Sequence, residues 1–150
     1  MSKIYCINIE KETLLNSYYR KVLATTDHQQ LVVMSLKAKE DIPMEIHPKV
    51  DQFIRIEKGN GKAIIGKDKK EEYELPENTI IMIPAGTYHQ IINVSDTDDL
   101  KLYTIYSPPN HAPNKIDIIK PPEVLPDREN FKYKYLKYKD KYLGLKNQLN

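Results

Sequence analysis

Tryptophan is absent from this chain, and cysteine occurs once, at Cys6. A lone cysteine cannot form an intramolecular disulfide, and it has no CxxC partner that would indicate a zinc ribbon or a redox motif. These absences argue against a disulfide-stapled secreted scaffold. A reducing, cytoplasmic compartment is the expected location.

Long apolar runs are also missing. No stretch approaches the roughly 18 apolar residues of a membrane span, and residues 1–12 carry charges where a signal peptide would have an apolar core. We therefore expect a protein that is neither secreted nor membrane-embedded. A length of 150 residues, with 40% hydrophobic and 29% charged residues, is typical of one globular domain.

The net charge is small, at +2, but the charged residues are unevenly distributed. The segment from Arg128 to Asn150 carries seven Lys or Arg and two Asp or Glu, so the rest of the chain is mildly acidic. The body therefore offers no general attraction for nucleic acid, which is not expected as a partner.

Short strand candidates follow one another from residue 31 onward, each bounded by Pro, Gly, Asn or Asp. They lie at 31–36, 44–47, 52–57, 62–65, 72–75, 79–83, 89–93 and 100–106. This rhythm is typical of an all-β sandwich or barrel. The Lys58-Gly59-Asn60-Gly61 turn between the third and fourth candidates is a hairpin signal.

The C-terminal third has a different composition. Six prolines between residues 107 and 126 exclude a helix or a central strand there and predict an extended arm. Beyond them an apolar stripe recurs at steps of four and three residues, which predicts an amphipathic helix. Its members are Phe131, Tyr135, Tyr138, Tyr142, Leu145 and Leu149. We predict a barrel domain over 1–112, a Pro-rich arm over 113–126 and a basic amphipathic helix over 127–150.

Two motifs suggest a family. Glu45-Ile-His47, followed five residues later by Gln52, resembles the first cupin motif. The segment Pro84-Ala-Gly-Thr-Tyr-His89-Gln-Ile-Ile-Asn93 resembles the second cupin motif, Pro-x-Gly-x-x-His-x-x-x-Asn, at every fixed position. Over residues 15–112 the chain is similar to small bacterial cupins with QLVxMSL, DQFIRIE and KLYTIYSPPxH segments. The resemblance implies a jelly-roll β-barrel and a bound metal, but no particular reaction.

The spacing has a physical reason. Residues two apart on a strand point to the same face, so Glu45 and His47 are both expected to face the barrel interior, with Gln52 one turn later. If Gln52 points inward, Ile54 and Ile56 line the core.

Phe53, Arg55 and Glu57 then point outward, and Phe53 with Arg55 suits a homodimer face.

The predicted metal ligands are Glu45, His47, Gln52 and His89. Four nitrogen and oxygen donors suit a divalent transition metal such as Fe, Mn, Ni or Zn, and they leave two octahedral positions for a ligand. Cupins commonly have His at the first position and Glu at the third, where this chain has Glu45 and Gln52. A neutral amide is a weaker ligand than a carboxylate, and Gln52 has a second interpretation, in which it only satisfies buried backbone groups.

Other candidates keep two interpretations each. His111 is either a solvated loop residue or a proton shuttle at the pocket, and His28 is structural or merely exposed. Three tyrosines either line the barrel mouth or pack in the core or an interface; they are Tyr88, Tyr103 and Tyr106.

The Tyr/Lys-rich tail resembles a segment that recurs in proteins of giant DNA viruses, which implies a viral origin and a location in the host cell or the virion. The tail helix would pack on the barrel or on a partner, or present a basic surface.

Two functional hypotheses follow. The first is a metal-binding cupin, oxygenase-like or isomerase-like, that binds or acts on a small oxygen-rich molecule. The second is a non-catalytic binding or assembly module that recruits a partner through its basic C-terminal helix. A metal-free isomerase would need a clear acid/base pair, and only His47, His89 and distant tyrosines are candidates for one. No catalytic residue is identified, and whether the chain is an enzyme stays open.

Overall fold

The computed structural model describes residues 4–123 of the chain. It contains one short helix and ten strands in this range. In chain order they are α1 (Ile9–Leu15), β1 (Arg20–Thr25), β2 (Gln30–Leu36), β3 (Asp41–Glu45), β4 (Asp51–Lys58), β5 (Gly61–Ile65), β6 (Glu71–Leu75), β7 (Ile80–Ile83), β8 (His89–Asn93), β9 (Leu100–Ser107) and β10 (Ile116–Asp117).

The strands form two antiparallel sheets. The larger sheet has the order β10-β1-β2-β9-β4-β7, and the smaller has the order β3-β8-β5-β6. Their apolar faces meet in one hydrophobic cluster, in which Val32, Ile54 and Leu102 from the larger sheet join Ala63 and Ile91 from the smaller. The predicted all-β jelly-roll fold is confirmed.

Alternation along β4 and β9 explains how the core forms. Gln52, Ile54 and Ile56 are buried on β4 while the residues between them are partly exposed. Strand β9 alternates in the same way from Leu100 to Tyr106. Because successive strand residues point to opposite faces, this pattern fixes which side chains enter the barrel.

The sequence prediction missed the first two elements, α1 and β1. The helix is only seven residues long and is stabilised by Asn8, whose side chain accepts a hydrogen bond from the Lys11 N–H at 2.9 Å. Strand β1 had a readable signal, since Val22 and Thr25 within it, and Tyr19 just before it, are residue types that favour strands. Strand β3 also lies earlier than predicted, at Asp41–Glu45 rather than 44–47.

The predicted hairpin at Lys58–Gly61 is wrong. Strand β4 pairs with β7 and β9, whereas β5 pairs with β6 and β8 in the other sheet, so this turn carries the chain between sheets. Gly59 has φ +95°, and a Cβ there would lie 2.9 Å from the Asp99 carbonyl oxygen. The glycine is thus required by a close backbone approach as well as by a turn conformation.

The Pro-rich segment contains an edge strand. Ile116 and Asp117 pair with Lys21 and Arg20 of β1, and the residues up to Lys120 belong to the same compact unit as the barrel. An edge position agrees with the exclusion of a central strand. The predicted C-terminal helix at 127–150 lies outside the described residues. Within the described part of the chain, no helix is long and apolar enough to cross a membrane.

Asn93, the last residue of β8, connects several backbone segments at one end of the barrel through hydrogen bonds. It is fully buried, and its Nδ2 donates to the carbonyl oxygens of Leu36, Lys37 and Asp98 at 2.8–3.0 Å. Its Oδ1 accepts from the Ser95 N–H at 3.0 Å. The asparagine of the second motif is therefore a structural residue that joins the two sheets through backbone groups.

We predict that Asn93→Asp lowers the free energy of unfolding by about 3 kcal/mol, because an acceptor-only carboxylate would face three carbonyl oxygens in a buried place. Urea denaturation measures the change. Asn60→Asp, at an exposed loop position, is the matched control and should leave the midpoint unchanged. Equal midpoints for Asn93→Asp and the unmodified protein would contradict the structural role.

Candidate metal centre

Three of the four predicted ligands converge at the other end of β8. One potential ligand atom from each of Glu45, His47 and His89 lies within 4.8 Å of the other two. Glu45 Oε1 is 3.1 Å from His47 Nε2 and 3.5 Å from His89 Nε2, and the two imidazole centroids are 5.3 Å apart. This is a compact cluster of one carboxylate and two imidazoles.

The strand register places Glu45 and His89 opposite each other. His89 opens β8 and pairs with Glu45 at the end of β3. The β3–β8 ladder shifts register between Ile42 and Glu45. His47 lies two residues beyond the strand, so a shared strand face does not explain its contact with Glu45. A local irregularity of the ladder, rather than simple alternation, therefore accompanies the cluster.

Backbone hydrogen bonds hold the two motifs together. The N–H of Gly86 donates to the His47 carbonyl oxygen at 2.8 Å, and the N–H of Ala85 donates to Asp51 Oδ1 at 2.8 Å. Gly86 has φ +80°, and a Cβ there would meet nothing within 4 Å. The glycine of the second motif is thus needed for its left-handed conformation rather than for space.

The protonation states suit a cation. Burial raises the pKa of Glu45, but the nearby imidazoles of His47 and His89 outweigh it and lower that pKa to about 2, so the carboxylate is ionised at neutral pH. His89 Nδ1 lies 2.9 Å from the Thr87 carbonyl oxygen. Because a carbonyl only accepts, Nδ1 donates to it, and Nε2 is the ring nitrogen that faces Glu45.

Gln52 faces the barrel interior from β4 and is 2% exposed. Its Nε2 donates to Thr104 Oγ1 at 3.1 Å, and its Oε1 is buried with no hydrogen-bond partner among the described residues. The alternative role, satisfying backbone groups, does not match this hydrogen bond, which goes to a side-chain hydroxyl. The amide oxygen is thus the polar atom of Gln52 that lacks a partner in the described part of the chain.

The residues present fit a divalent transition metal. Two imidazole nitrogens, a carboxylate and an amide oxygen are suitable donors for Fe, Mn, Ni or Zn. Within the described residues, His89 Nε2 and Gln52 Oε1 are buried without hydrogen-bond partners. Since buried polar atoms normally find a partner, these two atoms fit a bonded cation.

His111 is not the solvated loop residue that the sequence suggested. Its ring lies edge-on to Tyr106 with centroids 5.0 Å apart, and its Nε2 is buried without a partner in the described residues. Tyr106 in turn lies edge-on to His47 at 5.7 Å. Burial, with the Arg20 guanidinium adding to it, lowers the pKa of His111 to about 4. His111 therefore borders the site as a neutral imidazole.

In the described part of the chain, Tyr106 is the only one of the three candidate tyrosines whose ring contacts a residue of the cluster, namely His47. It is fully buried, and burial, reinforced by the charge of Glu45, raises the pKa of its hydroxyl. Tyr103 packs on Phe53 on the outer face, and the Tyr88 ring lies 5.6 Å from Lys67 Nζ. His28 is exposed and lies in the turn between β1 and β2.

The sequence prediction missed Gln30, which holds the His111 segment in place. Its side chain is fully buried; Nε2 donates to the His111 carbonyl oxygen at 2.8 Å, and Oε1 accepts from the His111 N–H at 2.8 Å. Gln30 pairs across the sheet with Tyr106. A glutamine opening an otherwise apolar strand was the available signal.

The fold and this site define the class of protein. A model of the cupin domain matches residues 32–106, and the chain belongs to the cupin family. The match covers both motifs and the strands that carry the Glu45, His47 and His89 cluster. No relative described below has a stated activity.

A viral relative covers almost the whole chain. The uncharacterized protein L612 of Acanthamoeba polyphaga mimivirus is 53% identical over 150 residues, which are 99% of this chain and 94% of L612. This viral homologue agrees with the predicted resemblance to giant-virus proteins. The uncharacterized protein YrkC of Bacillus subtilis strain 168 is 46% identical over 112 residues, or 73% of this chain and 60% of YrkC.

A solved structure agrees with the fold. The crystal structure of BH2720 from Bacillus halodurans has 40% sequence identity and a TM-score of 0.76, and the match covers 79% of this chain and 91% of that one.

Proposed function

We propose that this cupin binds a divalent transition metal through Glu45, His47, Gln52 and His89 and uses it to bind or convert a small oxygen-rich molecule. The observation that supports this most directly is the convergence of three ligand atoms within 4.8 Å, one carboxylate and two imidazoles. The buried, unpartnered oxygen of Gln52 supports a fourth ligand.

Such a metal would supply Lewis acidity and open coordination positions for a ligand oxygen. Glu45 supplies the single negative charge of the set, and the His89 tautomer is held by the Thr87 carbonyl oxygen. Tyr106 keeps its proton, and its ring lies edge-on to His47. A chain that only binds its ligand would use the same groups without turnover, so the proposal covers an oxygenase-like or isomerase-like enzyme and a plain binding protein.

We predict that the purified chain, stripped and reloaded, binds about one equivalent of at least one of Mn²⁺, Fe²⁺, Co²⁺, Ni²⁺ or Zn²⁺. At a hundredfold excess over Kd this adds about 2.7 kcal/mol to the free energy of unfolding, measured by thermal or urea denaturation. Glu45→Gln and His47→Gln should each weaken binding by more than about 100-fold, since even the loss of a group that only hydrogen-bonds to a metal ligand costs about 10–100-fold.

The matched control for these variants is His28→Gln, at an exposed histidine away from the site, which should bind the metal as the unmodified chain does. Elemental analysis gives the stoichiometry directly. The proposal fails if none of the five ions binds, or if His47→Gln retains the full affinity.

Gln52 has a separate prediction. Gln52→Glu should tighten metal binding by about tenfold, because a carboxylate is a stronger ligand for a divalent cation than an amide, and Gln52→Leu should weaken it. Titration calorimetry with Zn²⁺ measures both. If both variants have the affinity of the unmodified chain, Gln52 is not a ligand, and its role is confined to the Thr104 hydrogen bond.

We further propose that the chain forms a homodimer through the outer face of the larger sheet. Met82, Phe53 and Ile105 are directly opposite one another on β7, β4 and β9, which makes an apolar row on that face. Met82 is 71% exposed, and a cavity of about 370 Å³ lies between these side chains. An apolar row on the outer face of a sheet, with Met82 exposed at its edge-strand end, suits a self-complementary contact.

Sedimentation velocity tests the dimer. We expect the unmodified chain to sediment as a dimer and Met82→Lys to sediment as a monomer, because the lysine would bury a charge in the interface. Ile119→Lys changes an equally exposed residue elsewhere, at 77% exposure, and should leave the dimer intact. A monomeric unmodified chain would refute this proposal.

A further inference from the structure

Thr104 places a hydroxyl in an apolar row of the barrel interior. It lies on β9 directly opposite Val32 of β2 and Ile54 of β4, and all three side chains are fully buried. A buried hydroxyl costs free energy unless it is hydrogen-bonded, and valine has the same shape without that cost. A threonine at this position therefore indicates that the hydroxyl has a specific partner.

That partner is the amide of Gln52. Its Nε2 donates to Thr104 Oγ1 at 3.1 Å. Gln52 is directly opposite Tyr106, which is two residues along β9 from Thr104, so the two side chains are diagonal neighbours on the inner face of the sheet. Both side chains are buried, with Gln52 only 2% exposed. The hydrogen bond is therefore shielded from competition with water.

This hydrogen bond decides which end of the Gln52 amide stays unpartnered. The two ends are similar in size, but the oxygen is an acceptor that can bind a cation, whereas the NH₂ group only donates. With Nε2 held at Thr104, Oε1 is the buried atom without a hydrogen-bond partner in the described residues. A rotation of the amide by half a turn would exchange the two ends and present N–H groups in its place.

The start of β4 is connected to the metal-ligand cluster on two sides. Gln52 is opposite Tyr106, whose ring lies edge-on to His47 with centroids 5.7 Å apart. The residue before Gln52 accepts a hydrogen bond from the Ala85 N–H at 2.8 Å. The next residue of that turn, Gly86, donates its N–H to the His47 carbonyl oxygen at 2.8 Å. The orientation of the Gln52 amide therefore bears on the cluster.

We propose that Thr104 is a positioning residue whose hydroxyl holds the Gln52 amide so that the oxygen, and not the NH₂ group, faces the metal-ligand cluster. The inference rests on the proposed metal-binding function, and it explains how a neutral amide serves as the fourth ligand. Thr104 contributes no ligand atom of its own. A carboxylate in place of the amide would need no such control, because its two oxygens are equivalent.

Thr104→Val tests this role, since it removes the hydroxyl and keeps the shape of the side chain. The full chain is titrated calorimetrically with whichever of Mn²⁺, Fe²⁺, Co²⁺, Ni²⁺ or Zn²⁺ binds the unmodified protein most tightly. We expect Thr104→Val to weaken binding by about tenfold or more, as is typical when a group that hydrogen-bonds to a metal ligand is lost. Thr104→Ser keeps the hydroxyl and should bind the metal as the unmodified chain does.

The matched control is Thr13→Val. Thr13 is also fully buried, but it lies in α1, where its hydroxyl donates to the Ile9 carbonyl oxygen at 2.7 Å. Its replacement removes a buried hydroxyl away from Gln52 and should leave the metal affinity unchanged.

Double variants separate positioning from a general effect on the barrel. Gln52→Leu has no amide to orient, so Thr104→Val should weaken binding no further in that background. In Gln52→Glu either carboxylate oxygen can face the metal, so Thr104→Val should cost less than it does in the unmodified chain. An effect that runs through Tyr106, whose hydroxyl Thr104 also influences, would persist in both double variants.

The outcomes distinguish this inference from the proposed function. It is refuted, and the metal centre stands, if Thr104→Val binds the metal as tightly as the unmodified chain does. It is also refuted if Thr104→Ser is as weak as Thr104→Val, or if Thr104→Val costs as much in Gln52→Leu as in the unmodified chain. Unchanged affinity in Gln52→Leu itself removes Gln52 as a ligand and the inference with it. Failure of all five ions to bind the unmodified chain refutes the metal centre.

Discussion

Burying a polar side chain inside a barrel costs free energy unless it finds a hydrogen-bond partner, and the two ends of β8 meet this requirement differently. At one end Asn93 uses its whole amide to join three carbonyl oxygens and an N–H. At the other end His89 keeps a buried nitrogen without a partner among the described residues. The first end stabilises the fold, and the second leaves an imidazole nitrogen that can bind a partner from outside the chain.

The inner face of the larger sheet also separates polar from apolar side chains. One row across its inner face is formed by Gln30, Tyr106 and Gln52, and the rows behind it are almost entirely apolar. The apolar rows supply the cohesion of the core, while Tyr106 in the polar row contacts His47 of the Glu45, His47 and His89 cluster. Because the polar side chains are held by Thr104 and by the His111 backbone, the site is largely preorganised.

Sequence reasoning succeeded where one local rule decided the outcome. Alternation on β4 predicted that Gln52 and Ile54 face inward and Phe53 outward, as found. It failed where two segments had to be compared. The Gly59 turn has the composition of a hairpin, yet β4 and β5 enter different sheets. His111 follows a Pro-Pro-Asn segment typical of solvated loops, yet Gln30, 81 residues away, holds it against Tyr106.

By itself the sequence was enough to predict a β-barrel from its strand rhythm, and the resemblance to the two cupin motifs was enough to select Glu45, His47 and His89, because both are read from short stretches of the chain. Only the tertiary structure decided which buried polar atoms are satisfied. Hydrogen-bond pairing depends on distances between strands that are far apart in the chain. For that reason Asn93 became a structural residue, while His111 became a neighbour of Tyr106, whose ring contacts His47.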